Sequence, residues 1–243
     1  MGNRSEVIGF SGWKFDNPPR YDPLWFEVIN EEYWTEFFQI YWKLPFYAGG
    51  IYLATILGVQ NYMRDKKALQ LKKCLFMWNC VIGLFSILGF VRTAPELYGI
   101  VRESNGWNIY RSICVRCGLT KFMFLFPPIG MYVEPIGRWY AVMNYGVHSL
   151  MYPYFALKVI NVRVPSVVAS FITSMQLLQM LTGLFVNFYS VRLINAGVEC
   201  DRHPNSIRLF ALIYGSFTIL FGNLFYDLVI TRHFRLSKDK KQA

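Results

Sequence analysis

The chain has 243 residues, of which 54% are hydrophobic, 18% aromatic and only 16% charged. A soluble domain carries about 25% charged residues, so the apolar excess points to a bilayer rather than to a large interior core. The formal net charge of +10 does not mark a nucleic-acid binder, because the basic residues sit in short segments beside apolar runs and no basic domain stands apart from them.

Residues 1–45 hold several charges and the adjacent Pro18 and Pro19, which no cleaved signal peptide tolerates. They read as a lumenal N-terminal segment ahead of a single transmembrane domain, 46–230, and a basic cytosolic tail, 231–243. Within that domain the apolar runs of about 20 residues that a bilayer crossing needs predict five full spans. The first two are Phe46–Met63 and Cys74–Val91, separated by a loop, 64–73, with five cations and one anion. Next comes a defective run, Cys117–Val133, interrupted by Pro127 and Pro128, which remove backbone donors and break a helix. Trp139–Leu157, Val164–Tyr189 and Ile207–Ile230 complete the set, and the last is followed by Arg232, Arg235, Lys238, Lys240 and Lys241.

Parity decides how the defective run is read. If it crossed, the cationic loop and the cationic tail would face opposite sides. If it dips in and returns, both lie in the cytosol, as the positive-inside rule prefers. The expected fold is therefore an all-α polytopic membrane protein of about five full spans plus a Pro-broken, re-entrant segment at 117–133. The triplet Asn3, Arg4, Ser5 is a glycosylation sequon on the lumenal side of this topology. Lys240 and Lys241 stand fourth and third from the end, the register of a dilysine signal for retrieval to the endoplasmic reticulum. The loop 190–206 is lumenal and carries Cys200, so a disulfide from Cys114 to Cys200 is permitted by compartment. Cys114 and Cys117 form a C-x-x-C without a second pair, which argues against a zinc site.

Polar residues inside spans are costly and therefore informative. Asn144, His148 and Tyr152, spaced i, i+4, i+8, stack on one helix face. Histidine at that place serves as base or nucleophile near neutral pH, or is satisfied between helices. Pro153 frees the carbonyl of Ser149 in the same helix. Thr173, Gln176 and Gln179 share about one third of the next helix's circumference and must look inward, as interhelical contacts or as amides that hold a polar substrate group across from His148. Asn79 and Ser86 read as helix contacts, and Asn223 with Asp227 as a structural pair near the cytosolic interface.

At these residues a family resemblance enters. Asn144, His148 and the run Met151, Tyr152, Pro153, Tyr154, Phe155 resemble the N-x-x-x-H-x-x-M-Y-x-Y-[YF] motif of the ELO family of fatty-acid elongases. Thr173, Gln176 and Gln179 are similar to its T-x-x-Q-x-x-Q, and Lys73 followed by Trp78 and Asn79 to its early basic–W-N segment. The resemblance covers roughly residues 30–120 and 137–243. It implies an endoplasmic-reticulum enzyme built as a helical barrel, with seven spans in the family, the N-terminus lumenal and the C-terminus cytosolic. The implied activity is that of an acyltransferase, a very-long-chain 3-oxoacyl-CoA synthase. Such an enzyme condenses a long-chain acyl-CoA with malonyl-CoA, releases carbon dioxide and needs neither metal nor cofactor. Members with the wording of residues 143–157 handle saturated and monounsaturated chains. Carried over, His148 is catalytic, and Asn144, Tyr152, Tyr154, Gln176, Gln179 and Lys121 bind substrate. Self-association, or association with other elongases, is the implied partnership.

The sequence departs from the family at one place. The K-x-x-E-x-x-D-T motif would start at Lys121, yet its Glu and Asp positions hold Phe124 and Pro127. No H-x-x-H-H box exists, since His148, His203 and His233 are the only histidines. Fifteen residues separate Lys121 from Gly137, where the family carries two spans. Loss of two helices preserves parity. Two functions follow as expectations: an elongase condensing enzyme by family, or a non-catalytic membrane subunit that modulates a full-length elongase. A transporter is disfavoured by the absence of inverted repeats.

Overall fold

A computed structural model describes residues 37, 40, 41, 43–67, 69–102, 109–115 and 134–227 of the chain. The expectations at Lys121, at Pro127 and Pro128, at Cys117, at the sequon and in the basic tail lie outside these residues. Every regular element described is helical: α1 Leu44–Met63, α2 Lys72–Arg102, the short α3 Ile109–Cys114, α4 Gly137–Val159, α5 Ser166–Asn195 and α6 Pro204–Phe225. The five long helices fall on the five expected spans. The protein is an all-α polytopic membrane protein, in which α2, α5 and α6 are long and apolar enough to cross a membrane. By the same measure α1 and α4 fall short. In α4 polar side chains such as Asn144, His148 and Ser149 lower the hydropathy, and in α1 the Gln60 and Asn61 end does so.

The helix ends follow local chemistry. Asn161, at φ 62°, and Gly197, at φ 78°, stand just past α4 and α5 in the left-handed conformation that ends helices. At each end the third residue beyond the helix donates back across the turn, Val162 to Leu157 and Val198 to Leu193, both at 3.0 Å, so otherwise orphaned carbonyls are satisfied. His203 caps α6 by accepting the Asn205 N–H at Nδ1, 3.2 Å away, with Pro204 following it.

The second helix is longer than its expected span. The sequence predicts Cys74–Val91. Instead α2 runs on to Arg102 through Pro95. Proline removes one helical hydrogen bond, while the continued turns bury Glu96, Leu97, Ile100 and Val101 against the elements that follow. Burial outweighs the lost bond. A buried carboxylate therefore sits in this helix, past the end of the expected span.

Helices α2 and α4 form the most extensive pair and run antiparallel. A Cβ at Gly83 would meet Pro153 Cδ at 3.2 Å, a Cβ at Gly146 would meet the Phe90 ring at 3.0 Å, and Leu97 clusters with Val142. Small residues let the backbones approach, as in membrane bundles generally. The pair α5 and α6 is likewise antiparallel, with the Tyr214 ring lying over Gly183 so closely that a Cβ there would overlap it. The outer faces are apolar and exposed, for example Ile51, Leu57, Val167, Leu212 and Ile219. The buried set includes Asn79, Ser86, Thr93, Glu96, Gln179 and Asn187. Apolar outside and polar within is the distribution a lipid solvent selects.

Candidate functional site

The α4 face builds the site. Because i and i+4 lie one above the other on a helix, the Asn144 side-chain nitrogen comes within 3.3 Å of His148 Nε2. The Tyr152 ring stands one turn further, edge-on to the imidazole at 5.1 Å between centroids. With the amide donating, Nε2 accepts and the ring proton sits on Nδ1. An unprotonated imidazole nitrogen can act as base or nucleophile. Here that lone pair is engaged by Asn144, so reaction at Nε2 requires the amide to swing away.

Helix α5 reaches this face at Met151. Gln176 Nε2 donates to Met151 Sδ at 3.0 Å, across 25 residues of chain. Met151 lies between His148 and Tyr152 in sequence, so the amide row of α5 borders the histidine face. Thr173 and Gln179, on the same side of α5, are buried at 5% exposure each. Tyr154 departs from the set: it lies off the His148 face, beside Phe155 at 5.5 Å, with the Lys158 ammonium 5.7 Å over its ring. The structure thus gathers Asn144, His148, Tyr152 and Gln176, and separates Tyr154 from them. Asn79 and Ser86 satisfy themselves by donating to carbonyls of their own helix, Leu75 and Ile82. Asp227 is exposed just beyond α6.

A second polar centre was not visible in the sequence. Cys114 and Cys200 form a disulfide, which puts α3 and the loop before α6 in one compartment. Beside it Arg202, fully buried, donates through Nε to Glu134 Oε2 at 2.9 Å. Its Nη1 donates to Asn187 Oδ1 at 2.9 Å and to Ser190 Oγ at 2.7 Å. Glu134 also accepts the His203 backbone N–H at 2.8 Å. These bonds tie the start of α4, the end of α5 and the start of α6 together. Tyr110, outside the spans, donates to the Glu199 carbonyl at 2.7 Å, and burial followed by the nearby Glu199 charge raises its phenol above the ordinary tyrosine range. Among the described residues no group of three or more His, Cys, Asp or Glu side chains converges to hold a metal ion.

The chain is similar to known proteins over most of its length. The family model described as "ELO: GNS1/SUR4 family" matches residues 37–126 and 119–241. "Very long chain fatty acid elongase 6" of Drosophila melanogaster is 30% identical over 229 residues, covering 76% of this chain and 72% of that protein. "Putative fatty acid elongase 3" of Caenorhabditis elegans is 28% identical over 250 residues, covering 86% and 78%. "Very long chain fatty acid elongase 3" of Homo sapiens is 28% identical over 249 residues, covering 86% and 91%. That last alignment is longer than the whole 243-residue chain yet takes in only 86% of it, so a substantial stretch of the relative has no counterpart here. The family match also comes in two pieces, which meet at 119–126. No solved structure matches the chain. The chain belongs to the ELO family, GNS1/SUR4.

Proposed function

We propose that this chain serves fatty-acid elongation at the condensation of a long-chain acyl-CoA with malonyl-CoA to a 3-oxoacyl-CoA, in the endoplasmic-reticulum membrane with its C-terminus in the cytosol. The observation that supports this is the polar face of Asn144, His148 and Tyr152, joined by Gln176 through Met151. An imidazole in that setting accepts or holds an acyl group, and the neighbouring amides and phenol orient polar parts of the substrate. Lys121 is retained in the proposal as a substrate-binding residue, as the family resemblance implies.

A second reading concerns competence, and a specific observation favours it. The chain holds three histidines, at 148, 203 and 233, and no H-x-x-H-H box. One imidazole does not both carry an acyl group and assist decarboxylation, and sites that act as a unit lose most of their power when one member goes. The chain alone is then a non-catalytic subunit that binds a full-length elongase and changes its activity.

Microsomes that express only this chain, given malonyl-CoA and palmitoyl-CoA, should show no elongation above background. Co-expression with a full-length elongase should give co-purification and altered turnover. Turnover by the chain alone, abolished by His148→Ala, would overturn the subunit reading and leave the condensing enzyme.

A further inference from the structure

We propose that the loop between α1 and α2 is a binding element for anionic phospholipid headgroups. It links Met63, the last residue of α1, to Lys72, the first of α2, and α2 is long and apolar enough to cross a membrane. The loop therefore lies at a bilayer surface. Arg64, Lys66, Lys67, Lys72 and Lys73 stand within ten residues and are all exposed, against the single anion Asp65. Among the described residues none of these five cations pairs with a carboxylate. The Lys66 ammonium rests 3.3 Å over the Tyr62 ring centroid, at the end of α1. That places it where an aromatic ring and a cation meet a headgroup layer.

The choice of a lipid, rather than a soluble phosphate, rests on the apolar residues between the cations. Leu69 and Leu71 are 66% and 57% exposed and alternate with polar neighbours. Leucines held out beside lysines enter the acyl boundary while the ammonium groups stay with the phosphates. A binding site for a free phosphate compound has no use for them. Juxtamembrane clusters of this size attract anionic leaflets, and the attraction falls within a Debye length, so it is sensitive to salt.

The test uses the full chain in nanodiscs of phosphatidylcholine with a minor fraction of phosphatidylserine. Lipids retained after transfer to detergent are then quantified by native mass spectrometry. The wild-type chain should retain phosphatidylserine in preference to phosphatidylcholine. Neutralising Lys66, Lys67, Lys72 and Lys73 to Gln should lower that preference by more than about tenfold, and raising the salt should also lower it in the wild type. The milder pair Lys66→Gln with Lys67→Gln changes only mid-loop positions and should give a partial loss, with the Cys114–Cys200 disulfide intact as proof of folding. Leu69→Ser with Leu71→Ser should reduce retention at unchanged charge. Equal lipid ratios in wild type and variants would overturn the proposal. So would loss of the preference on adding free coenzyme A, which would assign the cations to a soluble phosphate.

Discussion

Arg202 donates to Glu134 at 2.9 Å across 68 residues of chain, and both side chains are buried, at 0% and 4% exposure. The pair is held from three elements, because Asn187 and Ser190 of α5 take the second arm of the guanidinium. Removing one partner of such a pair strands a buried charge. Glu134→Ala or Arg202→Ala should therefore cost about 3–5 kcal/mol of stability, while the double change to apolar residues of similar size should cost less than either. Thermal unfolding in detergent, arranged as a double-mutant cycle, measures this. Additive losses in the double variant would mean that the two side chains do not act together.

The disulfide sits next to this pair, with Asp201 donating its backbone N–H to the Cys114 carbonyl at 3.0 Å. Its closure joins residues 86 apart in sequence. A cross-link over a loop of that length restricts the unfolded chain strongly, so Cys114→Ser with Cys200→Ser should lower stability by about 2–5 kcal/mol. The loss should also appear as faster proteolysis in the loop before α6. Unchanged protease resistance after reduction would show that the ion pair alone holds this end.

The five long helices were legible because each coincides with a largely apolar stretch of about bilayer length, strongest in α2, α5 and α6, and that signal is one-dimensional. The compartment shared by Cys114 and Cys200 was legible for the same reason, since parity follows from counting crossings. The extension of α2 past Val91 was not. Arg92, Pro95 and Glu96 read alike whether a helix leaves the membrane or tucks a carboxylate under its neighbours, and only tertiary burial separates the two. The Glu134–Arg202 pair was hidden more deeply still. Both charges flank apolar runs, where solvated loop charges are common, and nothing local connects residues so far apart. On α4, helical spacing was sufficient to bring Asn144, His148 and Tyr152 together. It was also sufficient to set Tyr154 apart, two residues on, although a motif match groups them.

At Gly183 α5 and α6 approach closely, because the Tyr214 ring occupies the space a Cβ would take. Tyr214 is itself buried and packs against Tyr140, the rings tilted by 30° at 4.6 Å between centroids. Gly183→Ala should therefore destabilise the protein by about 1–3 kcal/mol, the usual cost of overfilling a fitted contact. Gly183→Ala combined with Tyr214→Leu should recover part of that loss. Gly215, with nothing near its missing Cβ, should accept alanine with no loss and serves as the control.

The site itself can be tested without any turnover, through the hold of Asn144 on His148. At 3.3 Å the amide engages Nε2, the nitrogen that would otherwise attack an acyl donor. A hydrogen bond of ordinary net strength shifts such an equilibrium by about 0.5–1.5 kcal/mol, or about twofold to tenfold in the fraction of free lone pair. Asn144→Ala should therefore speed carbethoxylation of His148 by that factor, read by mass spectrometry of the peptide that carries it. His203 accepts from the Asn205 backbone in its own turn and lies off the Asn144 face, so its rate should not move. The expected direction is opposite to that of a merely structural asparagine, whose loss would loosen α4 and alter both histidines together. An unchanged rate at His148 would mean that the imidazole presents its other nitrogen, Nδ1, and that the acyl-accepting geometry has to be drawn from Tyr152's side of the ring instead.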